Sequence, residues 1–377
     1  MTLREGLYRE ILFSLNNNYG NDNYDADRYG SEAAVATNEG FLKGFIKKQL
    51  SKYNYVNDKT HRFAIENIHR AITNYERYFD YFEYLYNLLE NDESKDLLVK
   101  ILAYRVLGYK KVKLPVNTPQ YWKDLAFTDQ LKEGNEEIDP KFLDFKLSKY
   151  NLRKINYPIT IFHVGLGILI DFMLEQYKYY SDVTRMKIEV GNGDVVLDCG
   201  ACFGDTALYF AHKTGASGKV FSFEFIPDNI EIFKKNVSLN PELTNRIELV
   251  DLPLWSVSGK TVYYVAFGPA SQVSFEPIKG ATGTTITTTI DDVVKDKKIA
   301  KVDFIKMDIE GAELNALQGA IETIRVCKPK LAITLYHRPE DFGNITRYIH
   351  ELNLGYKFYL GHYTIHQEET VLFAIAK

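Results

Sequence analysis

This chain of 377 residues predicts an α/β fold with a mostly parallel sheet, preceded by a mainly helical region. Three observations carry that expectation. Val195-Val196-Leu197-Asp198 is a short apolar run that turns through Cys199-Gly200-Ala201-Cys202-Phe203-Gly204 and continues as Asp205-Thr206-Ala207-Leu208-Tyr209-Phe210-Ala211, which reads as strand, tight loop and helix start. Further apolar strands then alternate with helical stretches, the pattern of a sheet covered on both faces. In the first half, apolar residues recur instead at spacings of three and four.

Taken in order, Asn16 to Gly30 is rich in Asn, Asp, Tyr and Gly and reads as a loop. Tyr75, Tyr78, Phe79, Phe82, Leu85, Tyr86 and Leu89 mark one face of a long helix, broken over Asp92 to Lys95. Leu97 to Leu107 starts a second helix that stops at Gly108, and Pro115, Pro119 and Pro140 punctuate connecting structure. Ile159 to Ile170 reads as a buried helix, too short to span a bilayer. The expected division is a mainly helical domain over residues 1–172, for acceptor recognition or oligomerisation, and a catalytic domain over 173–377.

Within the second part, Lys219 to Phe223 is the next strand and delivers Glu224. Ile247 to Val250 leads to Asp251-Leu252-Pro253-Leu254-Trp255, where the chain leaves the sheet. Val302 to Met307 ends in Asp308-Ile309-Glu310-Gly311-Ala312-Glu313, and Leu331 to Leu335 ends in Tyr336-His337. After a helix at about Phe342 to Leu352, Lys357 to Leu360 and Thr370 to Ile375 form an antiparallel pair.

The loop between Asp198 and Thr206 lies where open α/β sheets bind ligands, and its glycines let a ligand approach the backbone. An acidic residue ending the second strand suits a ribose. A dinucleotide would want Gly-x-Gly-x-x-Gly, whereas only Gly200 and Gly204 are present, flanked by Asp198 and Asp205. Two carboxylates repel a pyrophosphate and suit a ligand with an ammonium and a sulfonium. S-adenosylmethionine is such a ligand and NAD is not.

Composition excludes other classes. The net charge of −4, with 25% charged residues, provides no broad positive field for nucleic acid. Only Cys199, Cys202 and Cys327 are present, and with no signal-peptide pattern the expected setting is cytoplasmic. Cys199-Gly200-Ala201-Cys202 matches a redox spacing, but its place in a ligand-facing glycine loop argues against that chemistry.

The strings DCGACFGDTALYFA, FSFEFIPDNIEIFKKN, DFIKMDIEGAELNALQGA and KPKLAITLYHRPEDF resemble the FkbM family of class I S-adenosylmethionine-dependent methyltransferases. The resemblance runs from about Met173 to Lys377, with the segment 308–313 its most specific part. It implies a Rossmann-like seven-stranded sheet with a reversed last strand. It also implies methyl transfer, typically to oxygen on a sugar or natural product, so the expected partner is a small-molecule or saccharide acceptor. N-methylation of an amino group, an NAD-dependent oxidoreductase and a non-catalytic adenosyl-ligand binder are the alternatives.

Candidate site residues follow. Tyr177, Asp198, Gly200, Ala201, Gly204, Asp205, Thr206, Glu224, Trp255 and Asp308 are expected at the cofactor. Loss of a hydroxyl proton calls for a base, and His337 or Asp308, at the ends of adjacent strands, is expected to supply it. Glu310, His337, Asp341, His362 and Tyr363 are expected around the acceptor. The spacing of Asp308, Glu310, His337, Asp341 and His362 matches no recognised metal motif, which leaves metal open. A homo-oligomer is compatible with the aromatic-rich first half.

Overall fold

The computed structural model describes residues 1–26, 75–141, 145–266, 268 and 271–376. The loop expected over 16–30 is therefore seen only as far as residue 26. Helices Leu3–Ser14, Phe79–Leu88, Asp92–Leu107 and Pro119–Thr128 open the chain. Asn91 begins the third of these, its side chain accepting from the Ser94 amide at 3.1 Å. Asp92 to Lys95 thus start a helix rather than break one.

A small antiparallel sheet follows, formed by β1 (Lys132–Ile138), β2 (Leu147–Asn151) and β3 (Thr160–His163). Nothing in the sequence flagged β1, because its side chains are almost all exposed and carry no apolar alternation. Nor is Ile159 to Ile170 one buried helix. It divides into β3, a helical turn at Gly165–Ile168 and a π-turn at Leu169–Met173. β-Branched Ile159, Thr160 and Ile161 favour the strand. A Cβ at Gly167 would stand 2.3 Å from the His163 ring, so the turn needs glycine there.

After a two-stranded ribbon, β4 (Tyr179–Tyr180) and β5 (Lys187–Ile188), the main sheet begins. Its strands are β6 (Val195–Cys199), β7 (Lys219–Phe223), β8 (Ile247–Val250), β12 (Phe304–Met307), β13 (Lys330–Thr334), β14 (Tyr356–His362) and β15 (Thr370–Ala376). Three short strands intervene, β9 (Thr261–Val265), β10 (Gln272–Ser274) and β11 (Gly283–Ile286), pairing only with one another. The main sheet runs β14-β15-β13-β12-β6-β7-β8, and β15 lies antiparallel to both of its neighbours. That is the expected seven-stranded sheet with a reversed last strand. The reversal of order between β6 and β12 opens a cleft above their carboxyl ends.

The core runs through both halves. Phe82 packs edge-on to Phe342, with ring centroids 5.3 Å apart, and Leu85 and Leu98 share an apolar cluster with Phe358 and Ile345. The Glu90 amide donates to the Phe358 carbonyl at 3.0 Å at the sheet edge. On the opposite side, helix Pro227–Ser238 and the turn after it reach β3 through two asparagines. Asn236 accepts from the Phe162 amide at 2.7 Å and donates to its carbonyl at 3.1 Å, and Asn240 does the same with Thr160. These pairs satisfy the strand edge as another strand would.

Candidate active site

The cleft encloses about 700 Å³. Its floor is the glycine loop. Gly200 has φ +86°, and a Cβ there would lie 1.8 Å from the Asp308 carbonyl oxygen, which excludes every other residue. Gly204 has φ +87° and abuts the Phe233 ring, and from it starts helix Asp205–Lys213. Asp205 and Thr206, in its first turn, line the cleft.

Asp198 does not line it. Its carboxylate is fully buried beneath the loop, accepting from Thr206 Oγ1 at 2.9 Å and Ser222 Oγ at 3.2 Å. Asp198 is in register with Lys306 on β12, and the two side chains form an ion pair at 3.4 Å. Lys306 Nζ also donates to the Gly200 carbonyl at 2.6 Å. Burial works against that ammonium, but Asp198, Asp308 and Asp205 outweigh it and hold its pKa above the ordinary value. Asp198 therefore shapes the loop from below, and Asp205 presents the loop's carboxylate to the cleft. Ala201 likewise stays buried, its amide tied to the Phe223 carbonyl.

Glu224, at the end of β7, lines the cleft. Its Oε1 accepts from the Phe225 and Ile226 amides at 2.7 and 2.8 Å, and Oε2 accepts from Asn229 at 3.2 Å. Both lone pairs of Oε1 are thus used, while Oε2 keeps one acceptor position. Beside it Phe225, Leu252 and Trp255 form an apolar wall, with Trp255 braced edge-on by Phe275 at 5.0 Å.

At the far end stands Asp308. Tyr336 and Thr334 donate to its Oδ1 at 3.2 and 3.3 Å, and Tyr177 donates to Oδ2 at 3.2 Å. Tyr177 thus lines the cleft, with its hydroxyl turned to Asp308. Glu310 also lines the cleft, in a turn where it adopts φ +55°. Opposite them β3 and the π-turn bring His163 and Asp171 to the wall, their side chains 3.0 Å apart. Burial raises the Asp171 carboxyl to about 6, against the pull of His163.

His337 sits behind Asp308 and Glu310 and does not line the cleft. Burial disfavours its charge, yet Glu310, Glu313 and Asp308 reverse this and raise it to about 11. His337 thus faces those carboxylates and not the cleft, where the expected base would have to stand. Asp341 lies off the cleft too, raised to about 7 by burial with Glu313 adding to it. His362 is buried elsewhere, Nδ1 on Thr370 Oγ1 at 2.9 Å and Nε2 on the His366 carbonyl at 2.8 Å. Tyr363 spends its hydroxyl on the Lys178 carbonyl at 2.8 Å. Neither lines the cleft; His362 ends β14 and Tyr363 follows it.

Lys306, Asn229, Tyr336 and the His163–Asp171 pair escaped the sequence reading. Lys306 alone carried a signal, a lysine within the apolar strand Phe304-Ile305-Lys306-Met307, where a buried cation demands a partner. Burial pushes the thiols of Cys199 and Cys202 well above their ordinary value, and both are free, which leaves no reactive thiolate for redox work.

Residues 198–358 match the family model for the methyltransferase FkbM domain. A methyltransferase FkbM from Methylobacillus flagellatus KT shares the fold with a TM-score of 0.51 at 20% identity, over 80% of this chain and 60% of that one. The chain therefore spans less than two thirds of that protein's length. A putative rRNA-methylase from Clostridium thermocellum (16% identity, 50% of this chain and 88% of that one, TM-score 0.33) is more distant. So is Aeropyrum pernix fibrillarin with natively bound S-adenosyl-L-methionine (14% identity, 50% of this chain and 69% of that one, TM-score 0.31). No curated protein matches the chain. Among the described residues no helix is long and apolar enough to cross a membrane.

Proposed function

We propose that this chain is a methyltransferase of the FkbM type, that its cleft binds S-adenosylmethionine, and that the methyl group passes to a hydroxyl oxygen of a sugar or glycan intermediate. The observation that carries the cofactor reading is the sequence of surfaces along one cleft. An apolar wall at Phe225, Leu252 and Trp255 suits adenine, the open position on Glu224 suits a ribose hydroxyl, and Asp205 beside Asp171 suits an ammonium. Gly200 and Gly204 let the methionyl chain pass against backbone.

In that placement the sulfonium lies between the glycine loop and Asp308. The acceptor oxygen attacks the methyl carbon in line as the carbon–sulfur bond breaks, so the protein's first task is alignment. Asp308 Oδ2, which Tyr177 fixes, accepts the hydroxyl hydrogen and takes the proton as the ether forms. S-adenosylhomocysteine and the methylated acceptor leave, and the proton returns to water. The first half contributes to acceptor recognition, since Leu147, His163 and Ile170 line the same cleft.

Calorimetric titration of the full chain with S-adenosylmethionine, S-adenosylhomocysteine and NAD tests the cofactor. Micromolar binding of both adenosyl ligands with none of NAD supports the reading, and binding of NAD alone overturns it.

A further inference from the structure

The surroundings of His337 are those of a metal ligand. Its side chain is only 9% exposed, and neither ring nitrogen makes an aligned hydrogen bond. Nε2 instead stands 3.4 Å from Asp308 Oδ1 and 3.6 Å from Glu310 Oε2. Atoms that share a small cation, each about 2.0–2.2 Å from it, lie roughly 3.0–3.6 Å from one another. Among the described residues the donor atoms of Asp308, Glu313 and His337 lie within 4.8 Å of one another, and Glu310 joins this cluster through its 3.6 Å contact with Nε2.

Glu313 occupies the other side of the ring. Its Oε1 is 3.2 Å from Nδ1 and is itself held by the amides of Ile309 at 2.8 Å and Gly311 at 3.3 Å. Its Oε2 is buried with no partner. A carboxylate behind one imidazole nitrogen fixes the ring and turns the other nitrogen outward, the usual support of a metal-bound histidine. Glu310 meanwhile occupies the left-handed region at φ +55°, a conformation that costs a non-glycine residue on the order of 1–2 kcal/mol. Strain of that kind concentrates at functional turns.

We infer that His337 Nε2, Asp308 Oδ1 and Glu310 Oε2 are the protein ligands of one divalent cation of the Mg²⁺ or Mn²⁺ class, with the Thr334 hydroxyl then turned to the Met307 carbonyl at 3.2 Å and Glu313 as the residue that positions the imidazole. Two carboxylates and one imidazole suit such an ion. Because Asp308 and Glu310 line the cleft, the ion's remaining positions open into it. On the proposed methyl-transfer reading, those positions take two neighbouring hydroxyl oxygens of a saccharide acceptor. The ion then polarises the hydroxyl whose proton Asp308 Oδ2 receives.

The test is titration of the full chain with Mn²⁺, followed by electron paramagnetic resonance, with S-adenosylhomocysteine binding measured on the same samples. The expected result is one bound Mn²⁺ per chain. Glu310→Gln and Asp308→Asn should each weaken that binding by about tenfold or more. Glu310→Gln alters a partly exposed turn, so an unchanged thermal melt separates loss of the ion from loss of the fold. Absence of a stoichiometric Mn²⁺ site, or equal Mn²⁺ binding by wild type and both variants, overturns the inference. S-adenosylhomocysteine binding without Mn²⁺ binding sinks the metal site alone, whereas Mn²⁺ binding without S-adenosylhomocysteine sinks the cofactor reading alone.

Discussion

Lys306 Nζ reaches Asp198 Oδ1 at 3.4 Å from the neighbouring strand, with both side chains buried under the loop whose Gly200 carbonyl the same ammonium holds. Removing one partner of such a pair strands the other charge in the interior. Lys306→Met is therefore expected to cost about 3–5 kcal/mol in urea unfolding, and Lys306→Met with Asp198→Asn to recover much of that. A single variant as stable as wild type would show that the pair does not hold the loop.

Glu224 has one acceptor position left after its two amide contacts and its contact with Asn229. Glu224→Ala should weaken S-adenosylhomocysteine binding by roughly 10- to 100-fold, the worth of one charge-assisted hydrogen bond. Calorimetry reads this directly. Unchanged affinity would remove Glu224 from the ribose.

Glu175 ties the segment before the sheet to helix Asp205–Lys213. It pairs with Lys178 and Lys213 and accepts from Tyr157 at 2.9 Å. Burial favours its neutral form, but Lys178 and then Lys213 outweigh that and lower it from 4.5 to about 2. A carboxyl depressed in the folded state contributes stability that is complete above about pH 4.5 and fades as the pH falls towards 2. Glu175→Gln should thus lower stability by about 3 kcal/mol at pH 7 and by under about 1 kcal/mol near pH 2.5. Parallel stability curves for the two proteins across that range would contradict this linkage.

A fragment spanning Met173–Lys377 loses the cover that Phe82, Leu85 and Leu98 give Phe342 and Phe358. We expect it to show no cooperative thermal melt and to expose apolar surface to a dye such as ANS. A sharp melt with retained S-adenosylhomocysteine binding would make the second half an autonomous unit.

The main sheet was legible because parallel strands buried on both faces write themselves as apolar runs, each followed by its ligand-facing residue. Asp205, Thr206, Glu224, Trp255, Asp308 and Glu310 could be placed at the cleft for that reason. Position along a strand says nothing about which way a terminal side chain turns. Asp198 lies one residue before the end of β6 and His337 three residues beyond β13, yet one points beneath the loop and the other behind Asp308. The cleft's second wall was hidden for a different reason. His163 and Asp171 meet Asp205 only because Asn236 and Asn240 seize the edge of β3, a contact between segments some 75 to 80 residues apart.

At Gly200 the loop that would cradle the cofactor touches the backbone of Asp308, with no room for even a methyl group between them. One contact therefore serves both ends of the cleft, and displacement of either backbone must push the other. On the proposed reading the expected kinetic counterpart is compulsory order, with the nucleoside entering first and setting the position of Asp308 for the second molecule. The methylated product should then inhibit non-competitively against both substrates while S-adenosylhomocysteine competes with S-adenosylmethionine, and a methylated product competitive with the acceptor would mean that this junction yields more easily than its spacing implies.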